Sequence, residues 1–374
     1  MTIDPYASLR AEFAELTPAS GVLDAHTHLG ADEDGRSLDP DTLLVALDEI
    51  GPTARAVVFP FHDPERHPAY RVPNDRVLEW AQAGSGRLIP YCRLNPEEDP
   101  VQEAERCLAK GARGIKLHPR AQGFEFAHPA APAIFEVARD ARVPILIHAG
   151  RGMQSMASLV DLALRFPEVP LVLAHAGIAD QAVFATGLAG HPCVLYDTSC
   201  FGSQDVVELF ARVPAERIVF ASDIPYGRPI GALFLAMRAA AYAGLDADDR
   251  ALVAGGTMAS VLDGDGPPAA KPPRLDRVRP ASGSLSRAAA YLLMGFGAVI
   301  SSPPPVPARA LPWIALARAV CRDPDPGVAG PALERIDGLL TGAERLIESE
   351  SQDALLAIGQ IHAAATIAVT EPLG

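Results

Sequence analysis

Eight short apolar runs recur along the first 264 residues, and helical periodicity fills the gaps between them. The runs are "VLDAHTH" (22–28), "ARAVVFPF" (54–61), "RLIPYCRL" (87–94), "RGIKLHP" (113–119), "VPILIHAG" (143–150), "PLVLAHAG" (170–177), "CVLYDTS" (193–199) and "RIVFASDIP" (217–225). Most are nearly continuous in Val, Ile and Leu, the pattern of parallel strands covered on both faces. "DPDTLLVALDEI" opens on a capping Asp39 and Pro40, and "VQEAERCLAKGA", "APAIFEVARDA", "MASLVDLALRF" and "SQDVVELFARV" place apolar residues at helical spacing. Strand and helix alternating eight times over about 245 residues predict an α/β chain, a (β/α)8 TIM barrel, whose usual length is about 250 residues. A doubly wound open sheet is the competing fold, but its GxGxxG phosphate turn does not follow the first strand.

The pattern changes after Gly264. "GDGPPAAKPPRLDRVRP" is Pro-rich and reads as a linker. Beyond it, "SLSRAAAYLLMGFGAVI", "LPWIALARAVC", "PALERIDGLLTGAERLIESE" and "DALLAIGQIHAAATIAV" have helical spacing. The expected organisation is a barrel over 1–264, a linker over 265–282 and a C-terminal α-helical appendix over 283–374. The appendix carries no metal or nucleotide motif, and its one histidine, His362, is expected to be packed or at the surface. The apolar stretch 288–300 suggests burial against the barrel or a second subunit, which leaves a homo-oligomer open.

A net charge of −14 argues against nucleic acid as a partner, because phosphate binding needs a basic surface. The apolar run at 288–300 is too short to span a bilayer, and the first residues lack the basic and apolar regions of a signal peptide. The five cysteines, Cys92, Cys107, Cys193, Cys200 and Cys321, are odd in number and form no CxxC pair. A cytoplasmic protein with a small-molecule substrate is the expectation.

Polar residues interrupt the apolar runs at their C-terminal ends, which is where barrel enzymes place their chemistry. His26 and His28 end the first run, two apart and so on one face. Lys116 and His118 end the fourth, His148 the fifth, His175 the sixth and Asp223 the eighth. One strand histidine is usually a hydrogen-bonded core residue. Several at strand ends that a barrel brings together point to a metal site of His26, His28, His148 and Asp223, with Lys116 as ligand left open. His62, His67, His128 and His191 lie in loops and are expected at the surface. Cys200 follows the seventh run, and a nucleophilic role there is a minor alternative.

These motifs resemble the amidohydrolase superfamily, and within it the amidohydrolase-related group of TIM-barrel metal-dependent hydrolases and decarboxylases. The resemblance rests on "DAHTH" (24–28), "GIKLHP" (114–119), "PILIHAG" (144–150), "LVLAHAG" (171–177), "IVFASDIPYG" (218–227) and "GGTMASVL" (255–262), and it covers about residues 20–264. It implies that His26 and His28 are first-strand metal ligands and that His148 is the fifth-strand ligand. Asp223 would be the eighth-strand ligand and general base. His175 would polarise the substrate, or bind a second metal. Lys116 would bridge two metals as a carboxylated lysine or hold a substrate carboxylate.

The expected cofactor is a divalent metal, zinc first and manganese second, one or two per chain. The expected reaction is hydrolysis of an ester, lactone or amide by metal-activated water. Non-oxidative decarboxylation is one alternative, and a catalytically silent binding or scaffold barrel is another. Arg93, Arg120, Arg151 and Arg228 follow strand ends, where arginine can clamp a carboxylate. Of these, Arg120 and Arg151, with His118 and Tyr226, are the expected substrate-binding residues.

Overall fold

The computed structural model describes residues 6–150, 157–178, 181–199, 202–272, 282–300, 305–322, 329–349 and 356–371. The barrel strands are β1 (Leu23–Ala31), β2 (Arg55–Pro60), β3 (Leu88–Pro90 continued by Cys92–Arg93), β4 (Ile115–Leu117), β5 (Ile145–Ile147), β6 (Leu171–Leu173), β7 (Val194–Asp197) and β8 (Ile218–Val219). Successive strands pair in parallel from β1 to β8. The ring closes between β8 and β1: Ala25 N donates to Phe220 O at 2.8 Å, and Asp223 N to His26 O at 2.9 Å. The expected TIM barrel is the observed fold, and strands β2 to β8 are shorter than the apolar runs that predict them.

Helices α1 (Arg10–Leu16), α2 (Pro40–Asp48), α3 (Arg71–Ala83), α4 (Pro100–Ala109), α5 (Ala131–Ala141), α6 (Ala157–Arg165), α7 (Gln181–Gly187), α8 (Ser203–Arg212), α9 (Pro229–Tyr242) and α10 (Thr257–Leu262) accompany the strands. The predicted cap is present: Asp39 accepts from Thr42 N at 2.9 Å, ahead of Pro40 in the first turn of α2.

Period-two alternation sorts each strand between two environments. Val57, Phe59, Leu146, Val172, Leu195 and Val219 fill the barrel interior. Their neighbours Val58, Ile145, Ile147, Leu171, Leu173, Val194 and Ile218 pack outward under the helices. β1 departs from this rule. Leu23 and Ala25 face the interior while Leu29 faces the helices, and the β1–β2 register shifts between Asp24 and Thr27. A bulge of this kind re-aims side chains, and here it turns His26 and His28 inward.

The C-terminal helices are α11 (Gly283–Ile300), α12 (Leu311–Arg322), α13 (Gly330–Glu348) and α14 (Leu356–Val369), close to the four expected from sequence. They join the hydrophobic core that includes α8 and α9. Close approach is built in at Gly231 of α9, where a Cβ would lie 2.2 Å from the Tyr6 hydroxyl and 3.4 Å from Nδ1 of His362. His362 is half-buried, and its enclosure by these neighbours lowers its pKa to about 4. Arg238 of α9 is fully buried beneath the end of α14. Its Nε donates to Thr370 Oγ1 at 2.6 Å, and its other nitrogens pair with Glu12 and Glu371. None of the described helices is long and apolar enough to cross a membrane.

Arg238 ties the N-terminal helix, the barrel and the last helix together. Removing one partner of a buried pair typically costs about 3–5 kcal/mol, because a charge is stranded. Arg238→Ala is therefore expected to lower the unfolding free energy by about that amount in urea titrations. An unchanged midpoint would show that the tie is dispensable.

Candidate metal centre at the barrel mouth

At the C-terminal ends of β3, β4, β5 and β7 the inward residue is polar, whereas β2 ends with Phe59, and Phe61 follows just beyond it. Arg93 follows inward Tyr91, Lys116 lies between outward Ile115 and Leu117, His148 follows inward Leu146, and Asp197 follows inward Leu195. His175 breaks the phase, since it follows outward Leu173. A left-handed backbone at His175 (φ 57°) and Ala176 (φ 57°) turns it back towards the mouth. Asp223 is also left-handed (φ 56°). Such conformations are costly for non-glycine residues and concentrate at functional sites.

The ligand atoms of His26, His28 and Asp223 lie within 4.8 Å of one another, and all three side chains are buried. Nε2 of His28 is 3.0 Å from Oδ1 of Asp223, and Nε2 of His26 is 3.2 Å from the same oxygen. A tetrahedral site with bonds near 2.1 Å has ligand edges of about 3.4 Å, so these separations leave room for a small cation.

The neighbouring hydrogen bonds select the histidine tautomers. Nδ1 of His26 donates to Oδ2 of Asp197 at 2.8 Å, which leaves its Nε2 with a lone pair. Nδ1 of His175 donates to the Ser199 carbonyl at 2.9 Å, so its Nε2 accepts from Nδ1 of His148 at 3.0 Å. His148 then presents a bare Nε2, and that atom is buried without a hydrogen-bond partner, as is Nδ1 of His28. Buried polar atoms are almost always paired, and a bare imidazole lone pair is one that a divalent cation can satisfy; the close cluster itself holds His26, His28 and Asp223, and His148 is not within it. Oδ1 of Asp197 also accepts from the backbone N–H groups of His175 (2.8 Å) and Ser199 (3.0 Å).

The electrostatics fit a cation as well. Burial lowers the pKa of His26, His28 and His148, keeping them neutral as ligands must be. Burial raises Asp223 well above the usual carboxylate range, with Lys116 pulling the other way. Lys116 is itself pushed down to about 7 by burial and by Arg93. Its Nζ lies 3.4 Å from Nε2 of His26 and 4.6 Å from the centroid of the Phe59 ring. Asp24, buried behind the site, accepts from the backbone N of His26 (3.2 Å) and of Ser222 (3.0 Å), and so joins β1 to the segment after β8.

His26, His28, His148, His175 and Asp223 line a cavity of about 1000 Å³ at the barrel mouth, with Asp24, Lys116 and Asp197 behind its wall. His118 and Arg120 are on its wall; His118 stacks on His148 with ring centroids 3.9 Å apart. Tyr226 is there too, its hydroxyl donating to Asp32 at 3.0 Å. Gly150 lets the wall come close, since a Cβ there would sit 2.9 Å from the His175 ring and 3.0 Å from that of His148.

Arg151 and Cys200 fall outside the described residues. Arg228 does not face the cavity; it pairs with Glu49 at the surface. Two loop histidines differ from expectation. His62 lines the cavity and bonds the Tyr70 hydroxyl at 2.7 Å. His191 is buried and contacts the Ala163 carbonyl at 3.1 Å. Asp197 was not anticipated from sequence, although it ends "CVLYD" just as the other polar residues end their strands. Of the three described arginines among the four strand-end candidates, Arg93 is the buried one. It is 1% exposed, its Nη2 has no hydrogen-bond partner, and it forms no ion pair with a described carboxylate.

The family model described as amidohydrolase matches residues 23–263. The chain belongs to the amidohydrolase family. No curated protein matches its sequence. Among solved structures it is similar to 2,6-dihydroxybenzoate decarboxylase from Rhizobium, at 15% identity over 66% of this chain and 100% of that one, TM-score 0.50. It is similar to a protein described as amidohydrolase II, at 15% identity over 65% and 99% of the chains, TM-score 0.51. It is also similar to IDCase of Metarhizium anisopliae, at 15% identity over 68% and 98%, TM-score 0.50. At this identity the likeness is one of fold. As an amidohydrolase-family enzyme the chain is expected to use a divalent metal, and the His26–His28–Asp223 cluster has the donor chemistry to hold one.

A carboxylate that orients a metal-binding histidine typically contributes 10- to 100-fold to metal affinity. Asp197→Asn keeps the ligand atoms but loses the negative acceptor. It is expected to weaken divalent-metal binding by about that factor in competition with a chelator. Unchanged affinity would remove Asp197 from the centre.

Proposed function

We propose that this amidohydrolase-family protein is a metal-dependent hydrolase acting on an ester, lactone or amide of a small carboxylated molecule. Zinc is the proposed cation, with manganese the alternative. His26, His28, His148 and Asp223 would hold it, with Lys116 and His175 beside them for a second. The observation that carries the reading is the buried His26–His28–Asp223 cluster, whose ligand atoms lie within 4.8 Å of one another, with the unpaired Nε2 of His148 in the same cavity in support. A bound divalent cation supplies a water of lowered pKa and a Lewis acid for the carbonyl oxygen.

The remaining work falls to the chain's own groups. Asp223 accepts the proton of the attacking water and returns it to the leaving group. Asp197 keeps His26 in the tautomer with a bare Nε2. His175, whose single N–H is taken by the Ser199 carbonyl, keeps His148 in the corresponding tautomer. Lys116 adds positive charge to the same region. Arg93 is the proposed anchor for the substrate carboxylate, because its guanidinium is buried with one nitrogen unpartnered and, although Asp32 acts on it electrostatically, it forms no ion pair with a described carboxylate. His118, Arg120, Arg151 and Tyr226 are proposed to shape the rest of the site.

Decarboxylation is the second reading, and the barrel shared with the Rhizobium decarboxylase keeps it in play. Lys116 weighs against it. Loss of carbon dioxide disperses the carboxylate charge, and a buried amine at the reacting centre favours that charge staying where it is.

A panel of carboxylated lactones, esters and amides separates the two. The metal-loaded enzyme is expected to release acid without carbon dioxide, and Asp223→Asn to lose about 10²–10⁴-fold of the rate. Carbon dioxide release without hydrolysis would move the assignment to decarboxylation.

A further inference from the structure

The cavity has a wall that the barrel does not supply. Leu293, Phe296 and Gly297 of α11 line it together with His26, His28 and Asp223. These three residues lie beyond the family match, which ends at residue 263. They are anchored where they stand. The Phe296 ring packs against His362 of α14 at 6.0 Å between centroids, and Gly295 lies 3.1 Å from the Trp313 side chain, measured from a Cβ position. His362 sits against Gly231 of α9, and Arg238 of α9 holds the far end of α14.

Two features of the cavity then face the same ligand. The barrel side offers buried cationic Arg93, with one nitrogen unpartnered. The α11 side offers the apolar Leu293 and Phe296. The volume, about 1000 Å³, lies at the upper end of the range for sites that enclose drug-sized ligands. A carboxylate with no apolar body would leave the α11 wall facing water.

We infer that the C-terminal helices complete the active site, and that Leu293 and Phe296 select a substrate whose carboxylate is joined to an extended apolar or aromatic body. This rests on the proposed function for the carboxylate and the metal, but not on which bond is broken. Arg93 sets the charged end of the substrate. The α11 wall sets its length and apolar area, since contact with apolar surface is worth roughly 25 cal/mol per Å² buried.

The test is binding, read without turnover. Acetate, benzoate, 2-naphthoate and 4-phenylbenzoate are titrated calorimetrically into the full-length metal-loaded protein. Wild type is expected to bind more tightly along the series, with at least about a tenfold gain from benzoate to 4-phenylbenzoate. Phe296→Ala with Leu293→Ala is expected to flatten the series while benzoate binding stays within about threefold. Arg93→Met is expected to weaken every member. Phe296→Trp fills the wall rather than emptying it, and is expected to penalise 4-phenylbenzoate selectively. Metal content and thermal midpoint report whether each variant is folded. A flat series in wild type, or a graded series that survives both Phe296 changes, would overturn the inference. A graded series in a protein that hydrolyses nothing would overturn the hydrolase reading and leave this one standing.

Discussion

Burying imidazoles without protons is the constraint on which the rest of the site depends. His26, His28, His148 and His175 crowd one barrel mouth, and burial disfavours the charged form of each. Neutral imidazoles each need one donor role and one acceptor role met. Asp197 and Ser199 absorb the donors of His26 and His175, and His175 absorbs that of His148. The lone pairs left over are then available to a cation. Unpaired buried lone pairs are costly unless something fills them.

The scaffold holds this cluster by ordinary means. Apolar inward layers from β2, β5, β6, β7 and β8 fill the barrel beneath the site. Asp24 bonds the backbone on both sides of the closing seam, so the strand carrying His26 and His28 is fixed relative to Asp223. Strain appears at His175, Ala176 and Asp223, where the left-handed backbone aims side chains that regular strands would misplace. The appendix adds a second layer of anchoring through Arg238 and His362, and these run from the barrel to the helix that faces the cavity.

Much of this was legible in the sequence, element by element. The eight apolar runs became the eight strands because parallel strands covered on both faces need nearly continuous Val, Ile and Leu. The four helices after Gly264 stand close to where their periodicity places them. The polar residues at strand ends line the mouth because parallel strands all end on one side of a barrel. Asp197 follows the same rule but does not stand out, since one Asp at a strand end looks like any turn residue. His62 was read as a loop histidine, because nothing local shows that the loop after β2 folds over the cavity.

The sequence by itself determined the fold class, the spacing of the strands and which polar residues fall at most strand ends, because each depends on local pattern and strand period. Tertiary structure decided three other things. A bulge in β1 reverses its phase, so that His26 and His28 face inward although Leu23 and Ala25 also do. A left-handed turn brings His175 back from the outward phase of β6. Packing of α14 on α9 sets α11 over the mouth and places Phe296 opposite the histidines. All three are set by contacts between segments far apart in the chain, and no local periodicity encodes such contacts.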